Sequence, residues 1–265
     1  MELGLSGKAV LVTGGSSALG STMARTFAEE GARVALTFHR NRAGAEKVVM
    51  EIGRRGGEAF TLPLDLAEAD SVHAAVRTVE ETWGGVDVLV ASASPAGGPR
   101  PKTVPFEDIP AGQWRAQLRT EVEGAFHLTQ AVIPGMKRRH WGRIVLMSAR
   151  LVDRGMPGEE AYLASKAALH GLGRTLATEL IGDHVLVNVV APGATVTEGL
   201  LPRLPPDLRK LVASVSPEEA KRVLNEAHAP KRYSTPQEVA NVVVFLASAA
   251  NGHVTGSVVA VSGGH

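Results

Sequence analysis

The sequence contains no cysteine, and aromatic residues make up only 4% of its 265 positions. The absence of cysteine excludes disulfide bonds, thiolate metal ligands and cysteine nucleophiles. No apolar run approaches the about 20 residues that a membrane-spanning helix needs, and the first residues lack the pattern of a signal peptide. The 28 basic and 27 acidic residues leave a net charge of +1, whereas a dedicated nucleic-acid binder is usually strongly basic. We therefore expect a cytoplasmic protein without nucleic-acid or membrane partners.

Short apolar runs alternate with longer segments of helical character along the whole chain. The runs are nearly continuous rather than alternating, which is typical of strands that are covered on both faces in a parallel sheet. The pattern predicts one α/β domain over residues 1–265, doubly wound, with about seven parallel strands and helices on both faces. The predicted strands are Ala9–Thr13, Arg33–Phe38, Ala59–Leu64, Val86–Ala91, Arg143–Met147, Val185–Val190 and Val258–Val261. The predicted helices lie near 18–30, 42–55, 68–83, 112–139, 159–181 and 236–248.

Two proline-rich stretches, at about 92–110 and 192–217, interrupt this rhythm. Each follows a predicted strand, and ligands of open α/β sheets bind outside the carboxyl ends of the strands. We therefore interpret both stretches as loops that shape a substrate pocket. Leu200, Leu201 and Leu204 suggest that the second loop is an apolar lid.

The segment from Val10 to Gly20 combines a strand, a Gly-rich turn and the start of a helix. Backbone amides at a helix N-terminus favour phosphate, and glycine allows a close approach. The second strand ends in Phe38-His39-Arg40 with no acidic residue. An acid at this position selects NAD, whereas a basic residue accommodates the 2′-phosphate of NADP. Arg40, together with His39, therefore predicts a preference for NADP(H) over NAD(H).

A series of short motifs, in order along essentially the whole chain, resembles the classical short-chain dehydrogenase/reductase family. The resemblance implies a Rossmann-type fold and an oxidoreductase. The motifs are Thr13-Gly14 to Gly20, Asp65, Asp87-Val-Leu-Val90, Tyr162-Leu-Ala-Ser-Lys166, Asn188-Val-Val-Ala-Pro-Gly193 with Thr197, His253-Val-Thr-Gly256 and Ser262-Gly-Gly264.

The same resemblance implies the residues that contact the cofactor, with Asp65 at the adenine and Lys166 at a ribose. It also implies a homodimer or homotetramer, because related proteins pair the helix that carries Tyr162 with its copy in another subunit. The implied cofactor residues are Gly14, Ser16, Ser17, Leu19, His39, Arg40, Asp65, Leu66, Ala91, Ser92, Ala93, Tyr162, Lys166, Pro192, Gly193, Thr195 and Thr197.

Tyr162 and Lys166 are four residues apart, so both side chains lie on one face of a helix. A nearby ammonium favours the phenolate, which tunes a tyrosine towards proton transfer near neutral pH. In the enzymes that the sequence resembles, this tyrosine protonates a carbonyl oxygen while the nicotinamide delivers hydride to the carbon. We therefore expect Tyr162 to be the acid and Lys166 to be its activator.

The sequence departs from the family pattern at several positions of the site. Ala18 replaces a loop glycine, and Ala91-Ser-Ala-Ser94 replaces Asn-Asn-Ala-Gly. Ala149 stands where the family has its active-site serine. Loss of one such donor typically costs roughly 10²- to 10³-fold in rate. Strand alternation predicts that the Ser148 hydroxyl points away, and Arg150 is a second candidate donor.

Glu121 stands where the family has its active-site asparagine. Three roles remain open for it: a structural pair with Lys166, a carboxylic acid that acts as acid or base itself, or a solvated carboxylate.

These departures leave three functions open. The first is an NADPH-dependent reductase of a carbonyl, or of an activated C=C or C=N bond, in a small or medium-sized apolar substrate. The second is a non-redox isomerase, dehydratase or cyclase that uses Glu121 and Tyr162, and the third is a catalytically silent family member. The scattered histidines show no ligand spacing, so we expect no catalytic metal.

Overall fold

The computed structural model describes residues 1–95, 100–101, 103–227 and 233–264. All seven predicted runs form strands of one parallel sheet in the order β3-β2-β1-β4-β5-β6-β7, which confirms the predicted doubly wound α/β architecture. The strands are β1 Ala9–Val12, β2 Arg33–Phe38, β3 Ala59–Pro63, β4 Val88–Ala91, β5 Gly142–Met147, β6 Val185–Pro192 and β7 Val258–Val261. The strand order reverses between β1 and β4, where Val10 pairs with Val88. This reversal opens a crevice at the carboxyl edge of the sheet.

Helices connect the strands. Those at the predicted positions begin and end close to the predicted bounds, whereas two helices between β6 and the last helix were not predicted. The helices are α1 Ala18–Glu29, α2 Arg42–Arg54, α3 Ala69–Trp83, α4 Ala111–Leu118, α5 Gly124–Arg138, α6 Glu160–Leu180, α7 Pro206–Ala213, α8 Pro217–Ala227 and α9 Pro236–Leu246. A capping box formed by Thr235 and Glu238 starts α9, since each side chain accepts a backbone N–H of the other residue. Such reciprocal bonds satisfy amides that have no partner inside the helix.

The helix predicted over 112–139 is not continuous. Five residues of π-helix, Arg119–Glu123, separate α4 from α5. A π-turn adds one residue to a helical turn, which changes the direction of the side chains that follow, and such turns are frequent at functional sites. Glu121 lies within this turn and is buried.

The interpretation of 192–217 as an irregular loop is wrong over part of its length. A 3₁₀ turn, Glu198–Arg203, and helix α7 occupy much of it. Pro206 is the first residue of α7, where proline lacks an N–H that the helix would not use. Buried apolar residues between these elements form a small core of their own, which includes Val212 and Leu224.

Two larger cores lie on opposite faces of the sheet. On one face the strands pack against α3, α5 and α6, through residues such as Val76, Leu128 and Leu169. On the other face they pack against α1, α2 and α9, through residues such as Met23 and Val243. The sheet is therefore held rigidly from both sides, and the segments that leave its carboxyl edge start from fixed positions.

Arg143 in β5 is a buried cation that joins several loops at the amino edge of the sheet. Its guanidinium lies 4.6 Å from the ring centroid of Trp141. Burial lowers the pKa of Arg143 to about 10, so the group stays charged at neutral pH. It donates hydrogen bonds to the backbone carbonyl oxygens of Gly142, His184, Ser248 and Asn251.

Replacing Arg143 by methionine tests this anchor. We expect the free energy of unfolding to fall by about 3 kcal/mol, because buried carbonyl groups lose a charged donor. Urea denaturation provides the measurement. Arg77→Met, at an exposed position of α3, is the control and should change stability by less than about 0.5 kcal/mol. Equal effects of the two substitutions would contradict the assignment.

Candidate active site

The Gly-rich turn after β1 is fastened to the end of β4. Thr13 Oγ1 accepts hydrogen bonds from the backbone N–H groups of Ser92 (3.0 Å) and Ala93 (2.9 Å). Gly14 has a φ of +70°, and a Cβ atom there would lie 2.9 Å from Ala93 Cα. A side chain at this position would therefore be strained and would collide with backbone. Glycine is required for the two turns to meet at the crevice.

The first turn of α1 is capped from within the same Gly-rich turn. Ser17 Oγ accepts a hydrogen bond from the Gly20 N–H (3.0 Å). A Cβ atom at Gly20 would lie 2.2 Å from the carbonyl oxygen of Gly14, so this close contact also requires glycine. The helix begins at Ala18. The N–H groups of Ala18 and Leu19 precede any partner inside the helix and are the natural phosphate donors.

The end of β2 presents two basic side chains to solvent. His39 Nε2 lies 3.6 Å from Asp65 Oδ2, and Asp65 Oδ1 accepts the Ala67 N–H (3.0 Å). Arg40 is exposed and has no hydrogen-bond or ion-pair partner among the residues that the structure describes. The structure thus brings Arg40, His39 and Asp65 to one region, whereas Leu66 is buried in the core.

A cavity of about 510 Å³ lies beyond the carboxyl ends of β5 and β6. Tyr162 from the start of α6 lines it, as does Leu19 from α1, so the cavity joins the Gly-rich turn to the tyrosine. Four of the predicted cofactor residues at the end of β6 and directly after it also line the cavity, namely Pro192, Gly193, Thr195 and Thr197. Sequence reasoning missed Leu151, Arg154, Met156 and Tyr233, because no short motif marks them.

Lys166 lies behind Tyr162 and away from the cavity wall. Its Nζ atom is 5.7 Å from the centroid of the Tyr162 ring, and its side chain is only 4% exposed. The ammonium donates one hydrogen bond to the Met147 carbonyl oxygen (2.8 Å). The predicted pair of tyrosine and lysine is thus brought together at one side of the cavity.

Glu121 is the anionic partner of this buried ammonium. Its Oε1 atom pairs with Lys166 Nζ, and its side chain is 3% exposed. Its Oε2 atom accepts a hydrogen bond from the Ser94 hydroxyl (2.6 Å). Among the three roles that the sequence left open, the geometry matches the pair with Lys166. Glu121 is absent from the described residues that line the cavity. The role of Ser94 could not be read from any spacing.

Ser148 and Ala149, directly after β5, both line the cavity. Ala149 lines the cavity with a methyl group. The hydroxyl of Ser148 is engaged with α6, at 3.1 Å from the Lys166 carbonyl oxygen and 2.8 Å from His170 Nε2, as strand alternation predicts. Arg150 lines the cavity but pairs with Asp153.

The described part of the 92–110 loop is attached close to the start of α6, while residues 96–99 and 102 lie outside the described residues. The Arg100 N–H donates to the Gly158 carbonyl oxygen (2.8 Å). Its guanidinium pairs with Glu160 (2.8 Å) at the start of α6. The hydrogen bond from Arg100 lowers the pKa of Glu160 to about 2. Arg100 therefore attaches the loop to the start of α6, at a residue that lies two positions before Tyr162.

Within the described ranges, no three histidine, aspartate or glutamate side chains converge as metal ligands. None of the described helices is long and apolar enough to cross a membrane. A Gly-rich turn at the first strand, a crevice at the reversal of strand order and a tyrosine–lysine helix define the class: a nucleotide-dependent oxidoreductase with a doubly wound sheet.

Comparison with known proteins identifies the family. A family model described as Enoyl-(Acyl carrier protein) reductase matches residues 14–265. The 3-oxoacyl-(acyl-carrier-protein) reductase FabG of Staphylococcus epidermidis is 32% identical over 257 residues, which are 97% of this chain and 98% of that protein. The chain belongs to the short-chain dehydrogenase/reductase family and is an enzyme of that family.

Two solved structures show the same fold. A 7α-hydroxysteroid dehydrogenase complexed with NADH and 7-oxo glycochenodeoxycholic acid superposes with a TM-score of 0.85 at 32% identity, covering 99% of this chain and 96% of that chain. L-Sorbose reductase from Gluconobacter frateurii, complexed with NADPH and L-sorbose, gives a TM-score of 0.85 at 29% identity, with 99% and 98% coverage. These two relatives hold different nicotinamide cofactors and different substrates.

Glu121→Gln tests the buried pair, since the amide keeps the shape and removes the charge. We expect the free energy of unfolding to fall by about 3 kcal/mol, because the Lys166 ammonium stays buried without a counter-charge. Thermal and urea denaturation provide the measurement. Adding Lys166→Met to this variant should recover part of the loss. The control is Glu226→Gln, at an exposed pair with Arg222. A loss no larger than that of the control would refute the pairing.

Proposed function

We propose that this enzyme uses NADPH to reduce a carbonyl group in a small or medium-sized apolar substrate. One observation carries the proposal: Tyr162 lines the same cavity as Leu19 of the nucleotide turn and lies against the ammonium of Lys166. A proton donor and the expected nicotinamide end of a cofactor therefore share one cavity. The apolar side chains Leu151, Met156 and Leu200 form much of the remaining wall.

Reduction of a carbonyl requires one hydride at carbon and one proton at oxygen. When bound, NADPH supplies the hydride. The Tyr162 hydroxyl gives its proton to the carbonyl oxygen, which becomes the hydroxyl of the alcohol product. The Lys166 ammonium stabilises negative charge as it develops on the tyrosine oxygen, and a proton from solvent restores the phenol.

The residues present fit a nicotinamide dinucleotide with a 2′-phosphate. The N-terminus of α1 and the glycines of its turn suit the pyrophosphate. Arg40, which has no partner among the described residues, would pair with the 2′-phosphate. An ammonium has three N–H donors. Lys166 uses two of them for Glu121 and the Met147 carbonyl oxygen, which leaves the third for a ribose hydroxyl. Compared with glycine, Ala18 adds only one methyl group beside the backbone N–H groups at the N-terminus of α1.

Glu121 acts in this proposal as a positioning residue. It touches Lys166 and Ser94 rather than the cavity, so its carboxylate holds the lysine behind Tyr162. A non-redox reaction with Glu121 as acid or base would require that carboxylate to reach the substrate. The observed burial therefore favours the reductase over that alternative.

Self-association through α6 also belongs to the proposal. Gly171 lies on an exposed face of this helix, where an added Cβ atom would meet nothing within 4 Å. Phe126 on α5 is 48% exposed. An exposed glycine on α6 and an exposed aromatic side chain on α5 support a homodimer or homotetramer.

Tyr162→Phe tests the proton donor, and the chain offers a matched control because its only other tyrosine, Tyr233, lines the same cavity. Burial raises the pKa of Tyr233, which makes that phenol a poorer acid. We expect Tyr162→Phe to lower kcat for NADPH oxidation with a ketone substrate by about 10²- to 10⁴-fold.

Tyr233→Phe should retain activity within a few-fold of the parent enzyme. NADPH binding, measured by fluorescence, should persist in both variants. A larger loss of kcat in Tyr233→Phe than in Tyr162→Phe would instead identify Tyr233 as the proton donor. Turnover without NADPH oxidation in the parent enzyme would support the non-redox reaction instead, and a lack of any turnover would support the silent family member.

Arg40→Ala tests the cofactor preference. We expect the Kd for NADPH to rise about 10- to 100-fold, because a charge-assisted pair with the 2′-phosphate is lost, while the Kd for NADH stays nearly constant. Arg42→Ala is the matched control, since Arg42 is an exposed neighbour that already pairs with Glu46 (2.7 Å). Isothermal titration calorimetry measures the dissociation constants of both cofactors for the parent enzyme and both variants. Equal affinities of the parent enzyme for NADPH and NADH would rule out the preference.

A further inference from the structure

The charged side chains on the wall of the cavity are not balanced. Two arginines, Arg150 and Arg154, line it, and no aspartate or glutamate is among the described lining residues. Arg150 has its own counter-ion in Asp153, three residues along the chain. Arg154 has no hydrogen-bond or ion-pair partner in its guanidinium group among the residues that the structure describes. One cationic charge therefore faces the cavity uncompensated.

The surroundings of Arg154 indicate what kind of group would complement it. It directly follows the short 3₁₀ turn Arg150–Asp153 and is exposed, so it lies where the cavity meets solvent. Leu151 and Met156, on the same segment, contribute apolar wall beside it. A guanidinium binds oxyanions such as carboxylate and phosphate through a planar fork of donors. An apolar wall with a single cation at its mouth suits a molecule that is apolar along its length and anionic at one end.

We propose that Arg154 binds an anionic group, a carboxylate or a phosphate monoester, that the substrate carries in addition to its reducible carbonyl. This inference rests on the proposed function and deepens it, because it names the substrate class as acidic apolar carbonyl compounds. The anion pairs with Arg154, the apolar portion packs on Leu151 and Met156, and the carbonyl meets Tyr162. Arg154 is thus a specificity-determining residue that acts on binding rather than on the chemical step.

The test uses the enzyme saturated with NADP⁺ and three ligands of one chain length: octanoate, octyl phosphate and octan-1-ol. We expect at least one of the two anions to bind about tenfold more tightly than the alcohol by isothermal titration, and the comparison of octanoate with octyl phosphate distinguishes the two oxyanions. Arg154→Ala should weaken binding of that anion about tenfold and leave octan-1-ol unchanged. Arg77→Ala, at an exposed position that does not line the cavity, should change nothing.

Two outcomes would overturn the proposal. One is equal binding of the anions by the parent enzyme and by Arg154→Ala. The other is weaker NADP⁺ binding by Arg154→Ala in the absence of any octyl ligand, which would assign the arginine to the cofactor.

Failure of the proposed reductase activity would give different results from failure of the Arg154 anion site. If NADP⁺ does not bind, the same titrations on the protein alone still decide whether Arg154 holds an anion. If the anion binds through Arg154 but no oxo acid of similar length supports NADPH oxidation, the subsite stands and the reductase assignment falls.

Discussion

Seven parallel strands that all end at the same edge of the sheet are the constraint on which the site depends. The turn after β1, the loop after β4, the segment after β5 and the segment after β6 all leave this edge. They meet because the two cores hold the strands from both faces. Thr13 then fastens the first two of these segments through the N–H groups of Ser92 and Ala93. Described residues from the segments after β1, β5 and β6, such as Leu19, Ala149 and Thr195, line the cavity.

Electrostatics holds the tyrosine–lysine side of the site in place. A buried ammonium is costly unless a counter-charge and hydrogen bonds compensate for the lost water. Lys166 has both, since Glu121 pairs with it and the Met147 carbonyl oxygen accepts from it. As a consequence, the Glu121 carboxylate offsets part of the positive electrostatic field that Lys166 exerts on Tyr162. Ala149 supplies no hydroxyl, so in the proposed reaction Tyr162 would polarise the substrate oxygen without help from this position.

The strands and most helices were predictable because their signals are local. Continuous apolar runs identify buried parallel strands, and all seven are present. The π-turn at Arg119–Glu123 was not predictable, since its residues suit an ordinary helix and only the packing around Glu121 selects the extra residue. Helix α7 was missed because prolines are typical of loops, although Pro206 occupies the first position of the helix, where proline is well tolerated.

Local residue patterns specify the doubly wound sheet, the nucleotide turn, the basic end of β2 and the tyrosine–lysine spacing on one helix face. Each of these is encoded by residues within a few positions of one another, where periodicity and backbone preference act directly. Three further features are visible only in the folded chain: the pairing of Glu121 with Lys166 across 45 residues, the hydrogen bond from Ser94 to Glu121, and the position of Arg154 on the cavity wall without a counter-ion among the described residues. Such contacts depend on which segments the folded sheet brings together, and no local pattern carries that information.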